Sequence, residues 1–458
     1  MIDFKKITKR FFEVPAEVLE KTLQVAEKEK NIIINKKPFK VVEEYLDNLG
    51  PGLIAGAADD DPSGITTYSQ AGSQYGFQLL WLSLFTFPFM AIVQSMCARI
   101  GLVTGQGLAA NIREHFSHKI LYFVTILLFI TNTLNIAADL GAMAASTILL
   151  IPKLNFSFLV IFFAIGSLLF QIFTTYARYS RFLKYLTIAL FSYVLTAFAI
   201  HLDWGSALRS TIIPSISFSK DQIFILCAVL GTTISPYLFF WQTSQEVEEK
   251  ILRGEKTIQK RRENIHPHLL KRMNVDVWSG MFFSNLIMFF IIAVSAATLH
   301  ASGITSIMSA DQAAMAIRPF GGEFTYFFFA IGIIGTGLLA VPVLAGSTAY
   351  AIAESFNWSH GLYRKLNQAY AFYGVIIVSM IIGLVANLAH FDPIKGLIYS
   401  AVLNGLVAPI ILFFVVSING NENIMREHRS HPFTNALGWL ITIVMTIAGI
   451  ATIYSFLF

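Results

Sequence analysis

Long apolar stretches alternate with short polar segments along most of the 458-residue chain. A helix that crosses a bilayer needs about 20 mostly apolar residues, and the pattern offers such stretches repeatedly. We therefore predict an all-α polytopic membrane protein with about 11 spanning helices. In chain order, the predicted spans are Pro51–Tyr75, Leu79–Val103, Ile120–Ile151, Phe156–Thr175, Phe182–Leu202, Gln222–Gln242, Val277–Leu299, Thr325–Ala351, Tyr370–Ala389, Gly396–Ser417 and Ala436–Leu457.

Composition supports this class of protein. Hydrophobic residues make up 55% of the chain and charged residues only 13%, whereas a soluble domain has about 25% charged residues. The two cysteines, Cys97 and Cys227, stand singly inside predicted spans and are expected to be buried thiols. The lipid bilayer is thus an expected partner and nucleic acid is not.

Basic residues predict the orientation in the membrane. They concentrate in the loops that follow even-numbered spans, so the positive-inside rule places those loops and the N-terminus in the cytoplasm. An odd number of spans then places Phe458 outside a cell membrane. The basic residues of these loops are Arg99, Arg113, Arg178, Arg181, Lys184, those of the Lys250–Arg272 segment, Arg364, Lys365, Arg426 and Arg429.

Two charged segments are expected to lie outside the bilayer. Residues 1–46 lack the apolar core of a cleavable signal peptide, and within them Pro15–Lys30 has the pattern of a surface amphipathic helix. The stretch Glu246–Arg272 mixes acids and bases and is interpreted as a solvated cytoplasmic loop with helical parts.

Three consecutive carboxylates interrupt the first span. Asp59, Asp60 and Asp61 run directly into Pro62-Ser63-Gly64. A carboxylate at bilayer depth costs about 2.5–3.5 kcal/mol on insertion scales, and such residues mark functional sites. We interpret the cluster as a cation site around Asp61; the alternative is that Asp61 only caps a proline kink.

The sixth span contains a comparable interruption, Gly231-Thr232-Thr233-Ile234-Ser235-Pro236. Proline removes a backbone donor and breaks the helix. If the first ten spans form two inverted repeats of five, the two breaks are counterparts, and paired breaks indicate a substrate site at the midplane. The predicted organisation is a cytoplasmic segment 1–46, repeats 47–202 and 203–418 with a loop 246–275 in the second, and an eleventh helix within 419–458.

These motifs resemble those of the Nramp divalent-metal transporters. The first span carries Gly50-Pro51-Gly52-Leu53, Asp61-Pro62-Ser63-Gly64 and Gln70-Ala71-Gly72-Ser73-Gln74-Tyr75-Gly76, and the sixth carries Gly231-Thr232-Thr233-Ile234-Ser235-Pro236-Tyr237. The resemblance extends from Leu49 onward. It implies the inverted-repeat fold of sodium-coupled amino-acid symporters, alternating access for a divalent cation, and a monomer.

The chain departs from the family pattern in both interrupted spans. Typical members have Asp-Pro-Gly-Asn in span one and Ala-Thr-Val-Met-Pro-His in span six, where Asp, Asn, the Ala carbonyl and the Met thioether bind metal. Here the Asn, Ala, Met and His positions are occupied by Gly64, Thr232, Ser235 and Tyr237 respectively. The residues predicted to contact the metal are Asp61, Ala58, Gly64, Thr232 and Ser235.

The missing thioether changes the expected substrate. Sulfur favours soft transition metals, whereas oxygen ligands suit Mg²⁺, Ca²⁺ or Mn²⁺. A roomier, oxygen-lined site with one carboxylate fits a partly hydrated Mg²⁺, because this ion dehydrates reluctantly. The pattern is similar to that of the Nramp-related magnesium transporters. We therefore predict uptake of Mg²⁺, with Mn²⁺ as a further substrate.

The proton path of the family is also altered. Proton-coupled members carry Asp-x-x-Glu in span three, and the matching positions in this chain are Asp139 and Ala142. The resemblance therefore implies transport without proton coupling, although Asp139 alone could be a structural carboxylate. Asp59, Asp60, Tyr237, Asp139 and Asn404 are predicted to line the path or support the site.

Two alternatives remain open, and a third is disfavoured. The nearest is a proton-coupled Mn²⁺/Fe²⁺ transporter of the same fold, and a second is an organic-solute symporter. A membrane aspartyl protease would carry Gly-x-Gly-Asp, which this sequence lacks. No Walker-type phosphate loop is present either. We expect neither an enzymatic activity nor a resident cofactor; the divalent cation is the substrate.

Overall fold

A computed structural model of the protein describes residues 50–174, 190–200, 202–217, 219–389 and 391–457. The predicted surface helix Pro15–Lys30 lies outside these ranges, as do residues 182–189 at the start of the fifth predicted span. All regular secondary structure in the described ranges is helical.

The α-helices are numbered in chain order over the described residues. They are α1 (Pro51–Asp59), α2 (Pro62–Tyr75), α3 (Trp81–Thr104), α4 (Leu108–His115), α5 (His118–Leu150), α6 (Phe156–Phe173), α7 (Phe191–Ala199), α8 (Trp204–Ile212), α9 (Lys220–Thr233), α10 (Pro236–Leu252), α11 (Ile258–Glu263), α12 (Pro267–Ser295), α13 (Ala310–Ala314), α14 (Arg318–Gly321), α15 (Thr325–Ser355), α16 (Tyr370–Leu388), α17 (Pro393–Gly420), α18 (Glu422–Met425) and α19 (Pro432–Leu457). Short 3₁₀ turns lie at Gly76–Leu79, Met315–Ile317, Gly322–Phe324, Leu366–Gln368 and Arg426–His428, and a π-turn extends α12 over Ala296–His300.

The described residues contain nine stretches that are long and apolar enough to cross a membrane. The two other predicted spans differ for separate reasons. The first is divided into α1 and α2, which have 9 and 14 residues, and neither reaches spanning length alone. The fifth is described only in part, as α7. The predicted fold class, a helical membrane protein with broken first and sixth helices, is confirmed.

Prolines determine where the broken helices restart. Pro62 and Pro236 are the first residues of α2 and α10, a position where the missing N–H would have no helical partner in any case. Asp61 and Ser235 precede them with extended backbone. The same sequence feature that ends one half-helix therefore begins the next.

The broken helices lie inside the bundle. α5 packs most extensively against α15 and also contacts α16 and α17, while α12 packs against α1, α2 and α3. α9 packs against α17.

Cys97 and Cys227 are buried free thiols, as predicted.

Glycines bring two helices into backbone contact around α1. A methyl group on Gly52 would lie 2.7 Å from Val277 Cα, and one on Gly56 would lie 2.9 Å from Gly280 Cα. Real side-chain carbons do not approach backbone this closely. The contact between α1 and α12 therefore requires the missing side chains.

The interpretation of Glu246–Arg272 as a solvated loop is wrong for its first part. α10 continues to Leu252, and the charged side chains of Glu246, Glu248 and Lys250 are buried. Charged groups can be buried there because other segments supply hydrogen bonds. The Lys250 ammonium, for example, donates to the carbonyls of Leu102 (3.3 Å) and Asn264 (3.1 Å).

Candidate functional site

The two helix breaks lie against each other in the interior. α2 contacts α9, and α1 contacts α10. Tyr237 of α10 donates a hydrogen bond to the Ala58 carbonyl of α1 over 2.9 Å. On the opposite side, the hydroxyls of Tyr68 and Thr233 are 3.2 Å apart. The breaks therefore form one site. In it, the ends of α1 and α9, which carry carbonyl groups, face the starts of α10 and α2.

Asp61 is the carboxylate at the centre of this site. Its Oδ1 accepts from the Gly64 N–H at 2.7 Å, which caps α2. Its Oδ2 accepts from Asn135 Nδ2 of α5 at 3.0 Å. The two carboxylate oxygens together have about four acceptor positions, so Asp61 can still bind a cation while it accepts these hydrogen bonds.

Hydroxyl groups already bind several of the carbonyls released by the breaks. Ser235 Oγ donates to the Thr232 carbonyl at 2.6 Å and to that of Gly231 at 3.0 Å, and Tyr237 donates to that of Ala58. A carbonyl oxygen has two lone pairs. Ala58 and Thr232 can therefore still coordinate a cation while they accept these bonds.

Gly64 faces the sixth span directly. A methyl group on Gly64 would lie 3.1 Å from the Asp59 carbonyl oxygen, 3.4 Å from Thr232 Oγ1 and 3.4 Å from Tyr68 Cε2. The structure thus brings the predicted contact positions Gly64 and Thr232 together. A larger side chain at position 64 would press against residues of both breaks.

Asp59 and Asp60 point to a different helix from Asp61. Ser284 Oγ of α12 lies 3.1 Å from Asp59 Oδ2 and 3.3 Å from Asp60 Oδ1. Asp59 Oδ1 is buried without a hydrogen-bond donor. These two carboxylates therefore face α12, whereas Asp61 faces α5.

Two further candidates are buried polar groups without hydrogen-bond donors. Both carboxylate oxygens of Asp139 lack one, as does Asn404 Oδ1. Asp139 stands on α5 four residues after Asn135, so the two residues share a helix face. Ser400, one turn before Asn404 on α17, donates to Asn135 Oδ1 at 2.9 Å.

Asn135 and Ser284 were not among the site residues predicted from the sequence. A signal for Asn135 was present, because Asn132, Asn135 and Asp139 recur at helical spacing in an otherwise apolar helix. Ser284 had no such signal, since a single serine in a membrane helix usually bonds its own backbone.

The site is closed to solvent in this structure. Asp61, Ser235 and Tyr237 are each 1% exposed and Thr232 is 2% exposed. A cavity of about 400 Å³ lies elsewhere, and Glu248, Glu354 and Arg261 are among its lining residues. No group of three or more His, Cys, Asp or Glu side chains in the described ranges is placed to hold a metal ion. Backbone and hydroxyl oxygens would therefore have to complete any cation site at the breaks.

Paired broken helices that meet at a buried polar site define a membrane transporter of the inverted-repeat fold. Solved structures share this fold. The chain is similar to the manganese transporter of Eremococcus coleocola, with a TM-score of 0.70 and 15% identity over 89% of this chain and 86% of that one. It is also similar to MhsT in complex with L-phenylalanine, with a TM-score of 0.53 and 15% identity over 89% of this chain and 97% of that one.

The sequence comparison identifies the family. The family model described as natural resistance-associated macrophage protein-like (Nramp) matches residues 52–455, so the chain belongs to the Nramp family. A relative from Caldanaerobacter subterraneus, named divalent metal cation transporter MntH, is 27% identical over 418 residues, which cover 89% of this chain and 93% of the relative. The family predicted from the two motifs is thus confirmed.

Proposed function

We propose that this Nramp-family protein transports a divalent metal cation by alternating access, and that partly hydrated Mg²⁺ is its main substrate. The supporting observation is the set of groups at the breaks. Asp61 supplies a carboxylate, Ala58 and Thr232 supply carbonyls, and Ser235 and Thr232 supply hydroxyls. All are hard oxygen donors of the kind that suits Mg²⁺.

The small residues at positions 64 and 235 support a cation that keeps part of its water shell. Gly64 presents no side chain to Thr232, and Ser235 is shorter than a methionine. Mg²⁺ usually binds through one or two carboxylates and retains several waters. A site with one carboxylate among neutral oxygen ligands matches this coordination of Mg²⁺.

We further propose that transport is not coupled to protons. Asp139 has no hydrogen-bond donor, and Ala142 follows it one turn later where an acid would continue a relay. Tyr237 uses its hydroxyl to bind Ala58, and a phenol does not exchange protons near neutral pH as an imidazole does. A negative interior would drive uptake, since each charge gains about 2.3 kcal/mol per 100 mV.

The first test is cation influx into proteoliposomes that contain a Mg²⁺-sensitive dye. We expect Mg²⁺ uptake by the parent protein and its loss in Asp61→Ala. Asp203→Ala is the matched control, because Asp203 also caps a helix by accepting an N–H three residues later, from Ser206 at 3.1 Å, but does so on the exposed surface.

Two outcomes would overturn parts of the proposal. Mn²⁺ uptake without Mg²⁺ uptake would replace the magnesium assignment with the manganese alternative, which the name of the Eremococcus coleocola protein favours. Acidification of the lumen that tracks Mg²⁺ uptake, beyond that of empty vesicles, would show proton coupling.

A further inference from the structure

Asn135 connects three helices at the candidate site. Its Nδ2 donates to Asp61 Oδ2 over 3.0 Å, and its Oδ1 accepts from Ser400 Oγ over 2.9 Å. Asn135, Asp61 and Ser400 are each at most 1% exposed. The amide therefore lies in the buried interior, between α5, the first break and α17.

Asp61 and Ser400 together orient the Asn135 amide, because a carboxylate only accepts hydrogen bonds and the Ser400 hydroxyl donates to the amide oxygen. A hydroxyl donates one proton, and that of Ser400 is within 2.9 Å of both Asn135 Oδ1 and the Leu397 carbonyl. With its oxygen bound to Ser400, the amide can present only its NH₂ group to the carboxylate. Asn135 is therefore the donor in its hydrogen bond with the Asp61 carboxylate.

The Asp61 carboxylate is held at both oxygens by two different elements. The Gly64 N–H of α2 binds Oδ1 and Asn135 of α5 binds Oδ2. Rotation of the carboxylate plane would break at least one of these bonds. Asp61 therefore presents its remaining acceptor positions in a fixed direction.

A fixed carboxylate discriminates between cations of different size. Mg²⁺ demands near-ideal octahedral geometry with ligands at about 2.0–2.1 Å, whereas Ca²⁺ accepts six to eight oxygens at longer distances, including both oxygens of one carboxylate. A ligand that cannot reorient favours the ion whose geometry it matches. A ligand that rotates freely can accommodate both ions.

We propose that Asn135 is a positioning residue that sets ion selectivity: with its amide oriented by Ser400, it fixes the Asp61 carboxylate plane and so favours Mg²⁺ over Ca²⁺. This inference rests on the proposed transport function. Asn135 acts through Asp61 and need not touch the ion.

The test compares two constants in proteoliposomes, the KM for Mg²⁺ and the inhibition constant of Ca²⁺. In Asn135→Ala we expect the ratio of the Ca²⁺ constant to the Mg²⁺ constant to fall about tenfold. Ser400→Ala should change the ratio in the same direction but less, because it leaves the amide in place and removes only its orientation. A purely structural role would scale transport of both ions and leave the ratio unchanged.

Asn132→Ala is the matched control. Asn132 is a buried amide on the same helix, but it donates to Thr348 Oγ1 at 2.9 Å and does not contact Asp61. Its removal should leave the ratio at the parent value. If Asn135→Ala does not fold, Ser400→Ala still decides the question. An unchanged ratio in every folded variant at these two positions overturns the inference.

Failure of the magnesium assignment would be recognised separately. If the parent protein carries Mn²⁺ but not Mg²⁺, the proposed substrate is wrong. The inhibition constant of Ca²⁺ is then compared with the KM for Mn²⁺ in the same variants. Mn²⁺ also prefers octahedral oxygen ligands. A lower ratio of the Ca²⁺ inhibition constant to the KM for Mn²⁺ in Asn135→Ala would therefore still support the positioning role. An unchanged ratio would refute it.

Discussion

The phenol of Tyr237 donates to the Ala58 carbonyl over 2.9 Å and joins the two broken spans. Tyr237 is the second residue of the second half of the sixth span, and Ala58 is the residue before the last in the first half of the first span. The bond therefore holds together the half-helices on one side of the site, while Tyr68 and Thr233 do the same on the other side.

Removal of this bond should loosen the breaks without abolishing transport. Tyr237→Phe leaves the ring packed but deletes one buried hydrogen bond, so we expect a loss of about 1 kcal/mol in stability and persistent Mg²⁺ influx. Thermal unfolding in detergent measures the loss. Tyr399→Phe, at a tyrosine that is 54% exposed, should leave the melting temperature unchanged. Equal melting temperatures for the two variants would contradict the expectation.

The close contact at Gly56 should not tolerate a side chain. Gly56→Ala would place a methyl group against the Gly280 backbone, and overpacking of this kind costs about 1–3 kcal/mol. Because α1 carries Ala58 into the site, we also expect reduced transport. Gly166→Ala is the control, since a methyl group there meets no atom within 4 Å and alanine favours helix formation. If Gly166→Ala lowered stability as much as Gly56→Ala, the packing explanation would be wrong.

Asp276 should stabilise the start of α1. Its carboxylate accepts from the Gly52 N–H at 2.7 Å and from the Leu53 N–H at 3.1 Å, and a negative group at a helix N-terminus contributes about 0.3–2 kcal/mol. We expect Asp276→Asn to speed hydrogen exchange at residues 52–59, measured by mass spectrometry.

The control for this prediction is Asp392→Asn. Asp392 caps α17 through the N–H groups of Ile394 (3.1 Å) and Lys395 (3.2 Å), but its side chain is about half exposed. Water can replace these bonds, so the effect on α17 should be smaller than the effect of Asp276→Asn on α1. If hydrogen exchange in α1 were unchanged in Asp276→Asn, Asp276 would not stabilise the start of this helix.

A thioether at position 235 should shift the protein toward softer metals. Ser235→Met supplies sulfur and also frees the carbonyls of Gly231 and Thr232 from the serine hydroxyl. We expect Cd²⁺ to inhibit transport at a concentration about tenfold lower than in the parent, which corresponds to about 1.4 kcal/mol. Ser235→Ala frees the same carbonyls without adding sulfur. If both variants gain Cd²⁺ sensitivity equally, the carbonyls and not the sulfur are responsible.

The sequence was sufficient to predict the helices and their breaks. Apolar runs determine where spans lie, and Pro62 and Pro236 determine where two of them restart, because these effects are local. Partnerships across the bundle could not be predicted in this way. Asn135 is 74 positions from Asp61, and their contact depends on which face of α5 turns toward the first break.

The buried end of α10 was missed for a related reason. Glu246, Glu248 and Lys250 have the composition of a solvated segment. The groups that allow Glu248 to be buried, Tyr350 and the Leu362 N–H, are 102 and 114 positions away. A charged stretch is solvated unless distant donors reach it, and only the fold places those donors.

Buried polar bonds hold the far end of α10 to its neighbours. Glu248 accepts from Tyr350 and from the Leu362 N–H, while Glu354 accepts from Ser244 at 2.9 Å and from the Ala110 N–H at 3.2 Å. If these segments separated, water could replace each bond, at a net cost of about 0.5–1.5 kcal/mol apiece. The same helix begins beside Asp61 and, with 17 residues, extends about 25 Å. A tilt of this single rod would therefore break these water-replaceable bonds and displace one wall of the proposed ion site in the same motion.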